Sequence, residues 1–360
     1  MAQTFLQVDW KNDTNIYEVN LRQYTEEGTF EAFSKHLPRL KDMGVETLWF
    51  MPLTPISLKK RKSVLGSYYA CSDYTSINPE FGTENDFKNL VNTAKELGFK
   101  IIIDWVANHT GWDHTWTKTD PDFFLKAADG DFKPPEGMDD IIALDFSNQK
   151  MRNAMIDAMA WWVEEFGIDG FRCDLASWVR VDFWIEARTE LEKTKTLFWF
   201  GEYDALENPD YNNVFDASYT WKWMHLTERF CREKLDVSVL KELLIQYLAV
   251  YENGHLPVWF TSNHDENSWN GTEYEKYGDN SLSLAIFSCL SFGIPLIYSG
   301  QELPNHKRLR FFEKDLIDWI DAPALHSFYQ ILLSLRKNHT APGHQDNLAL
   351  IESISLYLSS

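Results

Sequence analysis

Apolar residues along this chain gather in short runs of two kinds. Eight runs are strand-like, rich in β-branched and aromatic residues and bounded by polar or turn residues: TNIYEVNL (14–21), VETLWFMP (45–52), KIIIDWVA (100–107), IDGFRCD (168–174), LFWFGEY (197–203), NVFDASY (213–219), PVWFTSNHD (257–265) and IPLIYSG (294–300). Between them lie longer segments of helical pattern. Residues 29–44 open on Thr29 and stop at Gly44, and residues 83–98 place Thr83 and Asp86 as a capping box and stop at Gly98. Residues 148–167 and 280–293 also end in glycine. Strand and helix alternating eight times imply a parallel sheet with helical crossovers. Eight such units close most simply into an α/β fold of the (β/α)8 TIM-barrel type, with a doubly wound open sheet as the alternative topology.

Two connections are long, 53–83 after the second strand and 110–147 after the third. Both carry many aromatic residues, so they are expected as ordered rim structures on the C-terminal face of a barrel, where active sites are built. The segment 339–360 follows the last helical pattern and reads as the opening strands of a further unit.

Composition narrows the function. The chain has 360 residues, 44% hydrophobic and 15% aromatic, enough for a large core and incompatible with global disorder. A net charge of −20 disfavours nucleic acid and anionic membrane surfaces and leaves a neutral substrate unpenalised. The 15 Trp and 15 Tyr suit stacking on flat sugar rings as well as ordinary packing. Cys71, Cys173, Cys231 and Cys289 show no CxxC pair and are expected as free, mostly buried thiols. The start MAQTFLQVDW lacks a basic, then apolar, leader pattern, and no run reaches the ~18 apolar residues of a membrane span. The expectation is a soluble protein, cytoplasmic or secreted with its leader absent.

The strand ends carry the candidate chemistry. The third strand run leads into Asp104, Asn108 and His109, the fourth ends in Arg172 and Asp174, the fifth in Glu202, and the seventh in His264 and Asp265. Taken singly, each has an ordinary structural explanation: a turn or cap for the acids, an ion pair for the arginine, a satisfied core position for the histidines. Their repeated placement at the ends of parallel strands brings them to one mouth, and clustered buried charge needs pairing or a task. A divalent metal is one such task, although no HxH, HExxH or DxD spacing accompanies these strand ends. Glycoside hydrolysis is another, needing one protonated and one ionised carboxyl group. On that reading Arg172 is expected to favour the carboxylate of Asp174, and surrounding like charge to favour the acid form of Glu202.

The segments DWVANH, GFRCD, GE and FTSNHD, in that order, resemble the four signature segments of the α-amylase family of glycoside hydrolases. GSYYACSDYTSINPEFGT (66–83) resembles that family's strand-2 loop, and the resemblance runs from about residue 14 to 338. It implies a catalytic (β/α)8 barrel formed by 1–109 and 148–338, a short inserted domain at 110–147 after strand 3, and a largely missing C-terminal β-sandwich, of which 339–360 is a remnant or a start. It implies that Asp174 is the nucleophile, Glu202 the general acid and then base, and Asp265 the third carboxylate, gripping sugar hydroxyls. Arg172 would orient Asp174, His109 and His264 would hydrogen-bond the sugar, and Tyr69 would stack on it. Three positions depart from the family. Ser177 and Trp178 stand where many α-amylases carry a Lys-His pair that contacts sugars on the leaving side. Asn108 matches a calcium-binding position, but Ala143 stands where a calcium-ligating Asp is frequent. The expectation is that no cofactor is required, with calcium the one open candidate. The implied partner is an α-glucan or maltooligosaccharide, cleaved at α-glucosidic bonds with retention. The alternatives are a transglycosylase or isomerase acting on α-linked disaccharides and, ranked last, a non-catalytic glycan-binding relative.

Overall fold

The computed structural model of the protein describes residues 5–338, so the expected β segment at 339–360 lies outside the described residues. Among these residues eight parallel strands close a barrel: β1 (Ile16–Val19), β2 (Thr47–Phe50), β3 (Lys100–Trp105), β4 (Gly170–Cys173), β5 (Phe198–Asp204), β6 (Ala217–Tyr219), β7 (Leu256–Trp259) and β8 (Ile294–Tyr298). Each strand pairs with its neighbour in sequence, and β8 returns to β1 with Ile16 opposite Leu296. That last pairing closes the sheet and removes the open-sheet alternative.

Period-two alternation sorts the strand residues into two layers. Ile16, Trp49, Ile102, Phe198, Phe200, Ala217, Leu256, Val258, Ile294 and Leu296 pack together as one cluster and fill the barrel. Tyr17, Leu48, Ile101, Ile103, Phe171, Cys173 and Trp199 belong to the larger cluster that also holds residues of the surrounding helices. β4 and β5 approach so closely at Gly170 that a Cβ there would lie 2.1 Å from the carbonyl oxygen of Phe198, so only glycine fits.

Several elements differ from the sequence expectation. Residues 29–44 form two helices, Phe30–Ser34 and Leu37–Met43. Pro38 sits in the first turn of the second, where its missing N–H costs nothing, and a helix continuous through it would lose a hydrogen bond. The helix Ser281–Leu290 stops short of Gly293. β6 is only three residues long and follows a 3₁₀ turn at Pro209–Asn213. β7 ends at Trp259, so His264 and Asp265 lie beyond the strand and lead into a π-helical turn, Glu266–Asn270. The helix Glu84–Glu96 has its Thr83–Asp86 capping box as expected.

The long connections are ordered and tied together. After β3 the chain forms an antiparallel pair, His109–Gly111 with Ile141–Ala143. The connection after β2 joins it through Gly111 N–H donating to the Cys71 carbonyl at 2.7 Å. All four cysteines are free, Cys231 half-buried and the others buried. Among the described residues, no helix is long and apolar enough to cross a membrane.

Beyond β7, Glu273 is buried and accepts hydrogen bonds from Thr261 Oγ1 (2.9 Å) and Gln301 Nε2 (2.6 Å). Burial outweighs these bonds and pushes its carboxyl up to about 7 from 4.5. The native state therefore holds this proton more tightly than the unfolded chain. The stability it contributes is complete below pH ~4.5 and is lost as pH rises through about 7, on the order of 3 kcal/mol in all. Glu273→Gln, which keeps the acceptor and removes the charge, is expected to match the wild type in urea midpoint at pH 4.5 and exceed it at pH 8. Parallel pH profiles for the two proteins would refute this.

Candidate active site

The alternation that fills the barrel also aims the charged groups. Ile16 and Glu18, Ile102 and Asp104, Phe200 and Glu202, and Arg172 and Asp174 are two-residue steps along β1, β3, β5 and β4, so each pair shares a face. The first member of three pairs packs in the barrel interior, so Glu18, Asp104 and Glu202 point inward above it. Arg172, the register partner of Asp104, is fully buried and lies over the Trp49 ring at 4.9 Å.

Arg172 organises three acids. Its Nη1 donates to Asp104 Oδ1 at 3.1 Å and to Asp174 Oδ1 at 3.2 Å. Its Nη2 lies 2.8 Å from Glu202 Oε1, an ionic contact without hydrogen-bond alignment. Glu202 Oε2 accepts from the Leu175 N–H at 2.7 Å. Leu175 adopts φ +41°, a left-handed conformation that a branched residue holds only under constraint. This turn, immediately after Asp174, aims a main-chain donor at the second acid.

Sharing one guanidinium leaves the cluster short of positive charge. Burial, then the charge of Glu202, push the Asp174 carboxyl well above its usual range, against the pull of Arg172. Burial likewise pushes Asp104 up to about 6. Arg172 favours the Asp174 carboxylate, as expected, but desolvation and the neighbouring acids outweigh that one cation. Asp174 Oδ2 has no hydrogen-bond partner among the described residues.

A second chain of bonds runs through His264. Burial opposes its charge, but Asp265 and Glu18 outweigh burial and raise its pKa well above 6.5. The imidazolium donates through Nδ1 to Glu18 Oε1 (2.5 Å) and through Nε2 to Tyr69 Oη (2.8 Å), with Asp265 Oδ2 3.3 Å away. Tyr69 Oη donates onward to Asp104 Oδ2 at 3.0 Å. For Asp265 burial again opposes ionisation, and His264 prevails, holding it below 3.8. The Tyr69 ring is nearly parallel to those of His264 (5.4 Å, 19°) and Phe311 (6.2 Å, 18°), whose centres are themselves 6.2 Å apart.

His109 is the neutral counterpart. Burial lowers it to about 4. Asn108 Nδ2 donates to His109 Nδ1 at 3.2 Å, which places the ring proton on Nε2. That Nε2 is buried without a partner among the described residues.

A cleft of about 190 Å³ joins these groups. Tyr69, His109, Asp174, Leu175, Glu202 and Asp265 line it, with Phe311 and Phe312. Of the seven residues singled out from sequence, five therefore line one cleft, and Arg172 and His264 lie beneath, bonded to those that do. Sequence reasoning missed Glu18, the Leu175 N–H and Phe311, and left Asp104 without a role. An acid inside an apolar strand run, as in NIYEVNL and KIIIDWVA, was the available signal for two of them. Trp178, at the departing Ser177-Trp178 position, is 56% exposed. At the family's calcium position the side chains do not form a ligand set: the Asn108 amide is turned to His109, and Ala143 has no side-chain oxygen. Among the described residues, no cluster of three His, Cys, Asp or Glu is arranged to hold a metal ion.

Comparison with known proteins agrees with this geometry. Residues 7–132 and 136–318 match the family model of the α-amylase catalytic domain. Alpha-amylase 2 of Dictyoglomus thermophilum is 25% identical over 376 residues, spanning 92% of this chain and 64% of that protein. The crystal structure of an α-amylase from Lactobacillus plantarum superimposes with a TM-score of 0.84 at 30% identity, covering 91% of this chain and 80% of that one. A maltogenic α-amylase from Thermotoga neapolitana gives 0.83 at 31% identity, covering 91% and 77%. The chain spans about half to two thirds of the length of the curated relatives it matches. With the family model matched over most of its length and a closed parallel barrel, this chain belongs to the α-amylase catalytic-domain family.

Proposed function

We propose that the protein is a retaining glycoside hydrolase of α-glucosidic bonds in maltooligosaccharides or starch-like glucans. One observation carries the reading: Asp174 has one oxygen on Arg172 and the other free, in a cleft shared with Glu202 and Asp265. The free Oδ2 attacks the anomeric carbon, the glycosidic C–O bond breaks, and Glu202 gives its proton to the leaving oxygen. Water then cleaves the glycosyl ester, with Glu202 taking the proton back and Asp174 leaving as carboxylate. Attack requires Asp174 as the carboxylate and Glu202 as the acid in the substrate complex.

The other residues bind and orient. Asp265, kept ionised by His264, accepts from sugar hydroxyls. His109 Nε2–H donates to one, gaining the partner it lacks. Tyr69, its hydroxyl held by His264 and Asp104, presents its ring to the cleft as a fixed platform for the sugar. No step of this scheme passes through a metal.

The test is the stereochemistry of the first product. Proton NMR of maltotriose hydrolysis is expected to show the α-anomer of the released reducing end before mutarotation. The β-anomer appearing first would refute retention. Oligomers longer than maltotriose in the early products would favour the transglycosylase alternative.

A further inference from the structure

Resting on the hydrolase reading and deepening it, we propose that residues 58–65 form a strap that closes the cleft to internal glucan segments, so that the site takes a single glucosyl residue at the non-reducing end of a chain. Size comes first. The cleft measures about 190 Å³. Pockets that enclose larger organic ligands run to roughly 300–1,000 Å³. Asp174 and Tyr69 line this cleft, so the sugar that fills it is the one whose anomeric carbon is attacked. If only one ring fits on that side of the scissile bond, that ring is a chain terminus.

Crossing ties join three connections that each place a residue on the cleft: Lys62, Asp140 and Phe312. Lys62, from the connection after β2, lines the cleft. Its Nζ is 2.8 Å from Asp140 Oδ1 and 3.3 Å from Asp139 Oδ1, in the connection after β3. Asp140 lines the cleft too, and it is buried. The next residue, Ser63, donates through Oγ to Glu313 Oε1, in the connection after β8. Lys62 Nζ also lies 6.0 Å from the ring centre of Phe312, another cleft residue of that connection.

The strap is held at its base as well. Asp113 Oδ2 accepts from both Leu58 N–H and Lys59 N–H at 3.0 Å, and Arg22 Nη1 donates to the Gly66 carbonyl at 3.2 Å. Lys60 Nζ sits 3.2 Å from the Trp112 ring centre. Lys60 (φ +58°) and Ser63 (φ +55°) adopt left-handed backbone, a conformation that persists only where surrounding contacts dictate it. A loop merely covering the surface has no need of that shape. A loop bent to meet Asp140 on one side and Glu313 on the other does.

The experiment compares three substrates with the wild-type protein and with a double variant, Ser63→Ala with Asp140→Asn, whose folding is checked by its melting curve. The substrates are maltoheptaose, maltoheptaose with its non-reducing terminal residue capped by an ethylidene acetal, and a cyclodextrin, which has no ends. Products are resolved by chromatography. The wild type is expected to release glucose first from the open chain and to cleave the capped and cyclic glucans ~100-fold more slowly or less. The double variant is expected to raise the capped-to-open rate ratio about tenfold or more, with maltose or longer fragments among its first products. Capped and open chains cleaved at similar rates by the wild type would overturn the proposal and leave the hydrolase reading standing. So would an unchanged ratio in a folded double variant. No turnover of any of the three would overturn the hydrolase reading itself.

Discussion

Asp174→Asn is expected to lower kcat on maltotriose by roughly 10⁴-fold or more, with the melting midpoint close to that of the wild type. The two halves have one origin. The substituted amide keeps an oxygen to accept from Arg172, so the interaction at 3.2 Å survives. Burial and the neighbouring acids already push this carboxyl well above its usual range, so a neutral side chain suits the native state and stability is spared. The variant lacks the free oxygen that forms the glycosyl ester, and an amide is a poor nucleophile. Glu202→Gln separates the roles. It too loses activity on maltotriose, but an α-glucosyl fluoride, whose leaving group needs no proton, is expected to restore much of its rate and none of that of Asp174→Asn. An Asp174→Asn protein that keeps a tenth of the wild-type rate would end the assignment, as would fluoride rescue of both variants.

Arg172→Met carries the second large effect, this time on stability. The guanidinium is fully buried and is the shared counter-ion of Asp104, Asp174 and Glu202. Removing it leaves buried carboxyl groups uncompensated, a loss of about 3–5 kcal/mol near neutral pH. The loss depends on pH in a definite direction. Asp104, up at about 6 even with Arg172 beside it, takes a proton still more readily without it. The unfolded chain gives that proton up near 3.8, so the variant's deficit shrinks as pH falls and the acids are neutralised in place. Urea unfolding at pH 4.5 and 7.5 measures this, with the larger deficit expected at 7.5. Adding Asp104→Asn to Arg172→Met is expected to recover part of it. A deficit of the same size at both pH values would mean that lost packing against Trp49, not charge, is responsible.

Much of this architecture was legible in the order of residues. Eight apolar runs separated by helical patterns predict eight strands, and all eight form, because period-two burial is a local property that each run carries by itself. Charges at the ends of those runs predict one mouth, because parallel strands bring equivalent ends together. Asp174, Glu202 and Asp265 meet there for that reason. Glu18 and Asp104 were within reach of the same logic, since an acid spaced two residues from an inward apolar neighbour must also face inward.

Helix ends were less legible. Pro38 divides the segment 29–44 because a local hydrogen-bond deficit outweighs a continuous apolar pattern. The protonation of the cluster could not be read from residue types at all. Proximity of Arg172 to Asp174 in sequence suggests a carboxylate, but the balance turns on desolvation and on the third and fourth charges, which arrive from β3 and β5. The same holds in part for His264, raised by its neighbour Asp265 and by Glu18, which comes from far away in sequence to close on its Nδ1.

Local pattern, then, determined by sequence alone the strands, their parallel order and the face on which the acids gather. Only the tertiary structure decided how burial and neighbouring charge are balanced at each acid, which oxygen stays free and how much room is left above them. Those depend on burial and on distances between segments far apart in the chain, and electrostatic energy in a desolvated site follows the sum over all neighbours.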